Sequence, residues 1–122
     1  MNILLAEDDR NFGLVLKNEL EEDRVKVDLV QNGVEAILAF LSRNYDFVLL
    51  DLRMPRLNGI DALRIMRKMN PRIPVITISG NAGSQEMAES IECGALKCLR
   101  KPFEIASLRG DMWDYLGTQI ER

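Results

Sequence analysis

The chain has 122 residues, 47% of them hydrophobic and 29% charged, with a net charge of −3 and a pI near 5.0. That profile belongs to one globular domain over 1–122 with a core of useful size, and it excludes a disordered chain. The acidic balance, without any basic run interleaved with aromatics, excludes nucleic-acid binding by this segment alone.

The opening "MNILLAEDD" has no basic n-region and does not read as a signal peptide. Its "ILLA" (3–6) reads as a first strand, ending on Glu7, Asp8 and Asp9. Phe12, Val15, Leu16 and Leu20 then fall at helical spacing, with Asp9 or Asn11 placed to cap that helix. "VKVDLV" (25–30) alternates apolar and charged residues, the pattern of a half-exposed edge strand. Val34, Ile37, Leu38 and Leu41 predict a second helix, within which "AILAFL" is the longest apolar run, far too short to cross a membrane.

"FVLL" (47–50) is apolar on both faces, as a central strand should be, and it ends on Asp51. Ile60, Leu63 and Met66 give a third helix and "PVITIS" (74–79) a fourth strand, finishing at Ser79. Met87, Ala88 and Ile91 mark the next helix and "LKCL" (96–99) the last strand, followed by Arg100, Lys101 and Pro102. Ile105, Leu108, Met112 and Leu116 close the series, with the helix reaching to about Leu116. Cys93 and Cys98 have no zinc or redox spacing and the chain has no histidine, so both read as small buried thiols in a reduced, cytoplasmic compartment.

Strand and helix alternate five times through short connections. This predicts an α/β domain, a doubly wound parallel sheet with helices on two faces. In such a sheet the carboxyl ends of the strands share one rim, where ligands bind. That rim receives Glu7, Asp8, Asp51, Ser79 and Lys101 from four strands. Each alone has an ordinary explanation as a helix cap, a strand-end hydroxyl or a turn; their conjunction does not.

Like charges about 4 Å apart repel by roughly 4 kcal/mol at an effective dielectric near 20, so clustered acids either hold a proton or bind a cation. Oxygen ligands without His or Cys point to a hard divalent ion, Mg²⁺ before Ca²⁺. Lys101 adds a second cation, and a carboxylate so shielded can accept a phosphoryl group.

Four stretches, "ILLAEDD", "LLDLRMPRLNG", "VITISG" and "LRKPF", together resemble the receiver domain of two-component response regulators. The steps of 28 residues from Asp51 to Ser79 and 22 from Ser79 to Lys101 fit that family. The resemblance implies a flavodoxin-like sheet of order 2-1-3-4-5. It implies that Asp51 accepts a phosphoryl group from the phosphohistidine of a sensor histidine kinase or phosphotransfer protein. It makes Glu7, Asp8, Asp51 and the backbone carbonyl of Arg53 the Mg²⁺ ligands, and Ser79 and Lys101 the groups that meet the phosphoryl oxygens. It also implies a cis Lys101–Pro102 bond, and an output domain or second copy engaged through the fourth and fifth helices. Cys98 stands where the family usually has Tyr or Phe, the aromatic that turns on activation.

Two other functions compete. A Mg²⁺-dependent aspartyl-phosphate hydrolase of the haloacid dehalogenase type uses similar groups, but needs a second Asp where this chain has Arg53. An adaptor receiver that is never phosphorylated is the other. A phosphate-cradling glycine loop is missing, since the first strand leads into "EDDRN".

Overall fold

The computed structural model describes residues 1–21, 25–80 and 83–120, with backbone alone at 118–120. Five strands and five helices alternate: β1 (Asn2–Ala6), α1 (Arg10–Leu20), β2 (Lys26–Val30), α2 (Gly33–Ser42), β3 (Phe47–Asp51), α3 (Gly59–Met69), β4 (Val75–Ser79), α4 (Ser84–Glu92), β5 (Lys97–Arg100) and α5 (Ile105–Ile120). The strands form one parallel sheet of order β2-β1-β3-β4-β5, as the resemblance implied.

Alternate strand residues feed two cores. Leu4, Val48, Leu50 and Val75 face Ala36 of α2 and Ala62, Leu63 and Met66 of α3. Ile3, Leu5, Phe47, Leu49, Ile76 and Ile78 face Leu16 and Leu20 of α1 and Leu108 and Met112 of α5. Both faces of β1, β3 and β4 are therefore dry, which is why these strands read as unbroken apolar runs.

β2 is an edge strand, as its alternation predicts. The Val27 amide donates to Glu21 Oε2 at 3.0 Å, and the Val27 carbonyl accepts from Lys17 Nζ at 2.7 Å. Both of the strand's backbone groups at this residue are thus occupied by side chains from the end of α1.

Several helix faces depart from the expected stripes. Val15, Leu38, Leu41 and Ile91 are exposed. In α2 the small Gly33 and Ala36 turn inward instead, with Ile37 and Phe40 packed beside them. In α4 the only buried residue is Ser90, whose hydroxyl meets the buried Thr77 hydroxyl at 2.9 Å and donates to the Met87 carbonyl at 2.8 Å. A hydroxyl pair, not an apolar stripe, sets that helix's face, and periodicity of apolar residues cannot reveal it. The last strand lies one residue later than expected, leaving Leu96 exposed in the turn, and α5 runs four residues past Leu116. Both cysteines are free and only half-buried, so the expectation of buried thiols is corrected. Cys98 packs with Met87 against Leu52 and Ile60.

α4 ends in a Schellman motif: Ala95 N–H bonds the Ser90 carbonyl at 3.0 Å and Gly94 N–H the Ile91 carbonyl at 2.9 Å. Gly94 has φ of 102°, a conformation that side chains resist.

Candidate functional site

Each strand end delivers its side chain for a local reason. β1 stops at Ala6, and the Glu7 amide still bonds the Val30 carbonyl of β2 at 2.9 Å, so Glu7 is held at the sheet edge with its carboxyl wholly buried. Asp8 beside it is exposed. Asp9 caps α1, accepting from Phe12 N at 3.1 Å, and its own amide donates to Glu7 Oε2 at 3.2 Å. Of the two residues expected to cap this helix, Asp9 does so.

Asp51 is the last residue of β3 and only 4% exposed. Its Oδ1 accepts from Arg53 N at 3.1 Å. Beyond it the chain makes a tight turn, with Leu57 N–H bonding the Pro55 carbonyl at 2.8 Å across Arg56 at φ 71°. It re-enters the fold at Gly59, where a Cβ would stand 2.2 Å from the Asp51 carbonyl oxygen and 2.6 Å from Leu52 Cα. Gly33 likewise sits where a Cβ would be 1.9 Å from the Leu57 carbonyl oxygen. These two glycines let the loop after Asp51 close against β3 and α2.

One oxygen each from Glu7, Asp8 and Asp51 lies within 4.8 Å of the others. Lys101, which follows β5 and begins the cis Lys101–Pro102 bond, bridges two of them: Nζ pairs with Glu7 Oε1 and lies 3.5 Å from Asp51 Oδ2. Ser79 ends β4; its Oγ is buried and has no hydrogen-bond partner among the described residues. The five expected side chains thus arrive at one rim. Arg53 is at the same rim through its amide, and its guanidinium turns away to Glu86 of α4 at 2.8 Å.

Burial pushes the Glu7 carboxyl up to about 8, helped by its hydrogen bond with Asp51 and by that neighbour's charge, against the pull of Lys101. Burial would lower the Lys101 ammonium, but the Glu7 hydrogen bond and the Asp51 and Glu7 charges outweigh it and hold it above its usual range.

The raised Glu7 pKa fixes a sign. The folded state holds the Glu7 proton more tightly than the unfolded chain, so this group's stabilising contribution is full below about 4.5 and disappears as pH rises through about 8. Glu7→Gln, which copies the protonated form, is expected to raise the metal-free melting temperature by about 5 °C at pH 8.5 and hardly at all at pH 4. Parallel melting curves at both pH values, with chelator present, check it; an equal gain at the two would refute the assignment.

The three converging carboxylate oxygens make a donor set suited to a hard divalent cation. Sequence reasoning passed over two contacts. The Arg53–Glu86 pair joins this rim to α4, and Phe12 lies under Lys101, where its apolar character at helical spacing reads simply as core.

The sequence matches the response regulator receiver domain family over residues 3–112. It is 35% identical over 107 residues to "Response regulator ArlR" of Staphylococcus haemolyticus, covering 88% of this chain and 48% of that protein. The chain spans about half the length of the curated response regulators it matches and 9% of a sensor protein, EvgS of Escherichia coli, to which it is 30% identical. Among solved structures, a Francisella response regulator 1452 receiver domain is 34% identical with a TM-score of 0.80, covering 88% of each chain. A CheY-like receiver protein from Methanospirillum hungatei shares the fold at a TM-score of 0.92 and 22% identity, covering 98% of this chain and 96% of that one. With the rim geometry, these matches identify the chain as a member of the response regulator receiver domain family of two-component systems.

Proposed function

We propose that the whole chain, residues 1–122, works as a cytoplasmic phosphorylation switch in which Asp51 accepts a phosphoryl group from the phosphohistidine of a sensor histidine kinase or phosphotransfer protein. The observation that carries this reading is Asp51 at the rim, with Glu7, Asp8 and Lys101 around it and the Ser79 hydroxyl without a partner among the described residues.

In the transfer, an Asp51 carboxylate oxygen attacks phosphorus, the O–P bond forms, and the P–N bond to the donor imidazole breaks with its electron pair leaving on nitrogen. Lys101 exchanges a carboxylate partner for a phosphoryl oxygen. Ser79 Oγ, without a partner among the described residues, donates to a second oxygen. Glu7, Asp8, Asp51 and the Arg53 backbone carbonyl would hold Mg²⁺, which supplies charge neutralisation to the phosphoryl oxygens when bound. The chain is a phosphoacceptor that assists its own phosphorylation and dephosphorylation, not an enzyme acting on other substrates. At the position where the hydrolase alternative requires a general acid, Arg53 is committed to Glu86.

The response is passed to the face built by α4, β5 and α5, where an output domain or a second copy docks. Ser79 moving toward the phosphoryl group opens space near β5, and Cys98, packed on Leu52 and Ile60, is the side chain placed to follow. No helix among the described residues is long and apolar enough to cross a membrane.

Incubation with acetyl phosphate and Mg²⁺ is expected to add the mass of one phosphoryl group, mapped to Asp51. Mg²⁺ alone, at about 100 times its Kd, is expected to stabilise the fold by about 2.7 kcal/mol, and Asp8→Ala to erase that shift. Wild-type protein that takes up no phosphoryl group under these conditions would instead favour the adaptor alternative.

A further inference from the structure

Lys101 has an aromatic neighbour that neither the strand-end pattern nor the acid cluster accounts for. Its Nζ lies over the ring of Phe12, 4.5 Å from the centroid. Phe12 is in the first turn of α1, its amide fixed to the Asp9 carboxylate at 3.1 Å. Its ring is braced edge-on by Phe103 at 5.9 Å and 84°, two residues beyond Lys101. An ammonium has three N–H groups; Glu7 and Asp51 engage two, leaving one for the ring face. On the other side, the lysine stem passes Gly80, where a Cβ would stand 3.5 Å from Lys101 Cδ. The flexible stem thus runs past a bare backbone on one side to a fixed aromatic face at its tip.

We propose that Phe12 is a positioning residue: its ring holds the Lys101 ammonium over the mouth of the acid cluster, so that transfer to Asp51 depends on an aromatic side chain at this place on α1. The inference rests on the phosphoacceptor reading above. The ring quadrupole attracts the cation, and the attraction strengthens where water is partly excluded, as at this half-buried lysine. Without the ring the ammonium keeps its carboxylate partners but gains freedom to swing outward when Asp51 exchanges its charge for a phosphoryl group.

Phe12→Leu keeps apolar bulk and Phe12→Tyr keeps the ring. With acetyl phosphate and Mg²⁺, Phe12→Leu is expected to slow phosphoryl uptake about tenfold and Phe12→Tyr to restore most of the rate. In a Lys101→Ala background, Phe12→Leu is expected to add no further loss, because the ring acts through the lysine. In the metal-free wild type and in Phe12→Tyr, nuclear Overhauser contacts should join the ring protons to the Lys101 ε-methylene. If Phe12→Leu does not fold, Phe12→Met takes its place. Tyr as slow as Leu, or a Leu loss that persists without Lys101, would overturn the assignment and mean that Phe12 only fills space. A wild type without uptake would overturn the phosphoacceptor reading itself, whereas normal uptake in both wild type and Phe12→Leu would overturn the Phe12 assignment alone.

Discussion

Asp51→Asn is expected to reduce phosphoryl uptake from acetyl phosphate by more than about 100-fold, to background in an intact-mass assay, while the chain stays folded. The amide nitrogen is not a nucleophile toward phosphorus, and the remaining rim carboxylates are differently placed: Glu7 is wholly buried and Asp8 is exposed. The fold should tolerate the change because Asn keeps an Oδ1 to accept the Arg53 amide, and Lys101 keeps Glu7 as its partner. Removing the Asp51 charge also lifts one of the causes that push the Glu7 carboxyl up. The metal-free variant should therefore melt no lower than wild type at pH 8. Undiminished uptake in Asp51→Asn would move the acceptor to another residue.

The second large effect is structural. Gly59→Ala is expected to destabilise the domain by about 3 kcal/mol, lowering the melting temperature by roughly 10 °C. The added methyl would meet the Asp51 carbonyl oxygen and Leu52 Cα, backbone atoms of the site strand that cannot swing aside as a side chain can. The Gly59 amide also bonds the Leu52 carbonyl at 2.9 Å, so relief by moving the start of α3 breaks that contact. Uptake at Asp51 should fall even at temperatures where the variant is folded, since the collision is with the acceptor's own backbone. Gly110→Ala on α5, where a Cβ meets nothing within 4 Å, is the control, expected to gain about 0.5–1 kcal/mol. Thermal melts of both variants check the pair; a harmless Gly59→Ala would show that the loop after Asp51 is free to shift.

The sheet and the acid rim were legible because they follow from chain-local signals. Apolar runs of strand length ending on Asp51 or Ser79 state their own direction, and parallel connectivity sends every end to one side. What stayed hidden depends on distances across the fold. Gly59 reads as a loop breaker, and only the assembled chain shows that its missing Cβ makes room for Asp51. Phe12 reads as one more apolar residue of α1, with nothing in its spacing to show that its ring turns to a lysine 89 positions later. Leu38, Leu41 and Ile91 fit helical periods yet face outward, because small residues in α2 and Ser90 in α4 decide which side meets the sheet. The pairing of Arg53 with Glu86 is invisible for the same reason, two surface charges 33 residues apart.

The side chains that occupy β2 at Val27 bear on how this domain meets other molecules. An open strand edge invites another chain to dock as an extra strand, in productive recognition or in aggregation. At Val27 both backbone groups are already taken, and the opposite edge, β5, is only four residues long with Lys97 and Arg100 exposed at its ends. Both margins are thereby made poorer templates for sheet extension, β2 at Val27 and β5 by its short length and charged ends. A binding partner is steered toward helix faces and loops in place of main-chain groups common to every strand. Blunting the sheet's margins in this way shifts recognition of the domain from main-chain hydrogen bonding to side-chain identity.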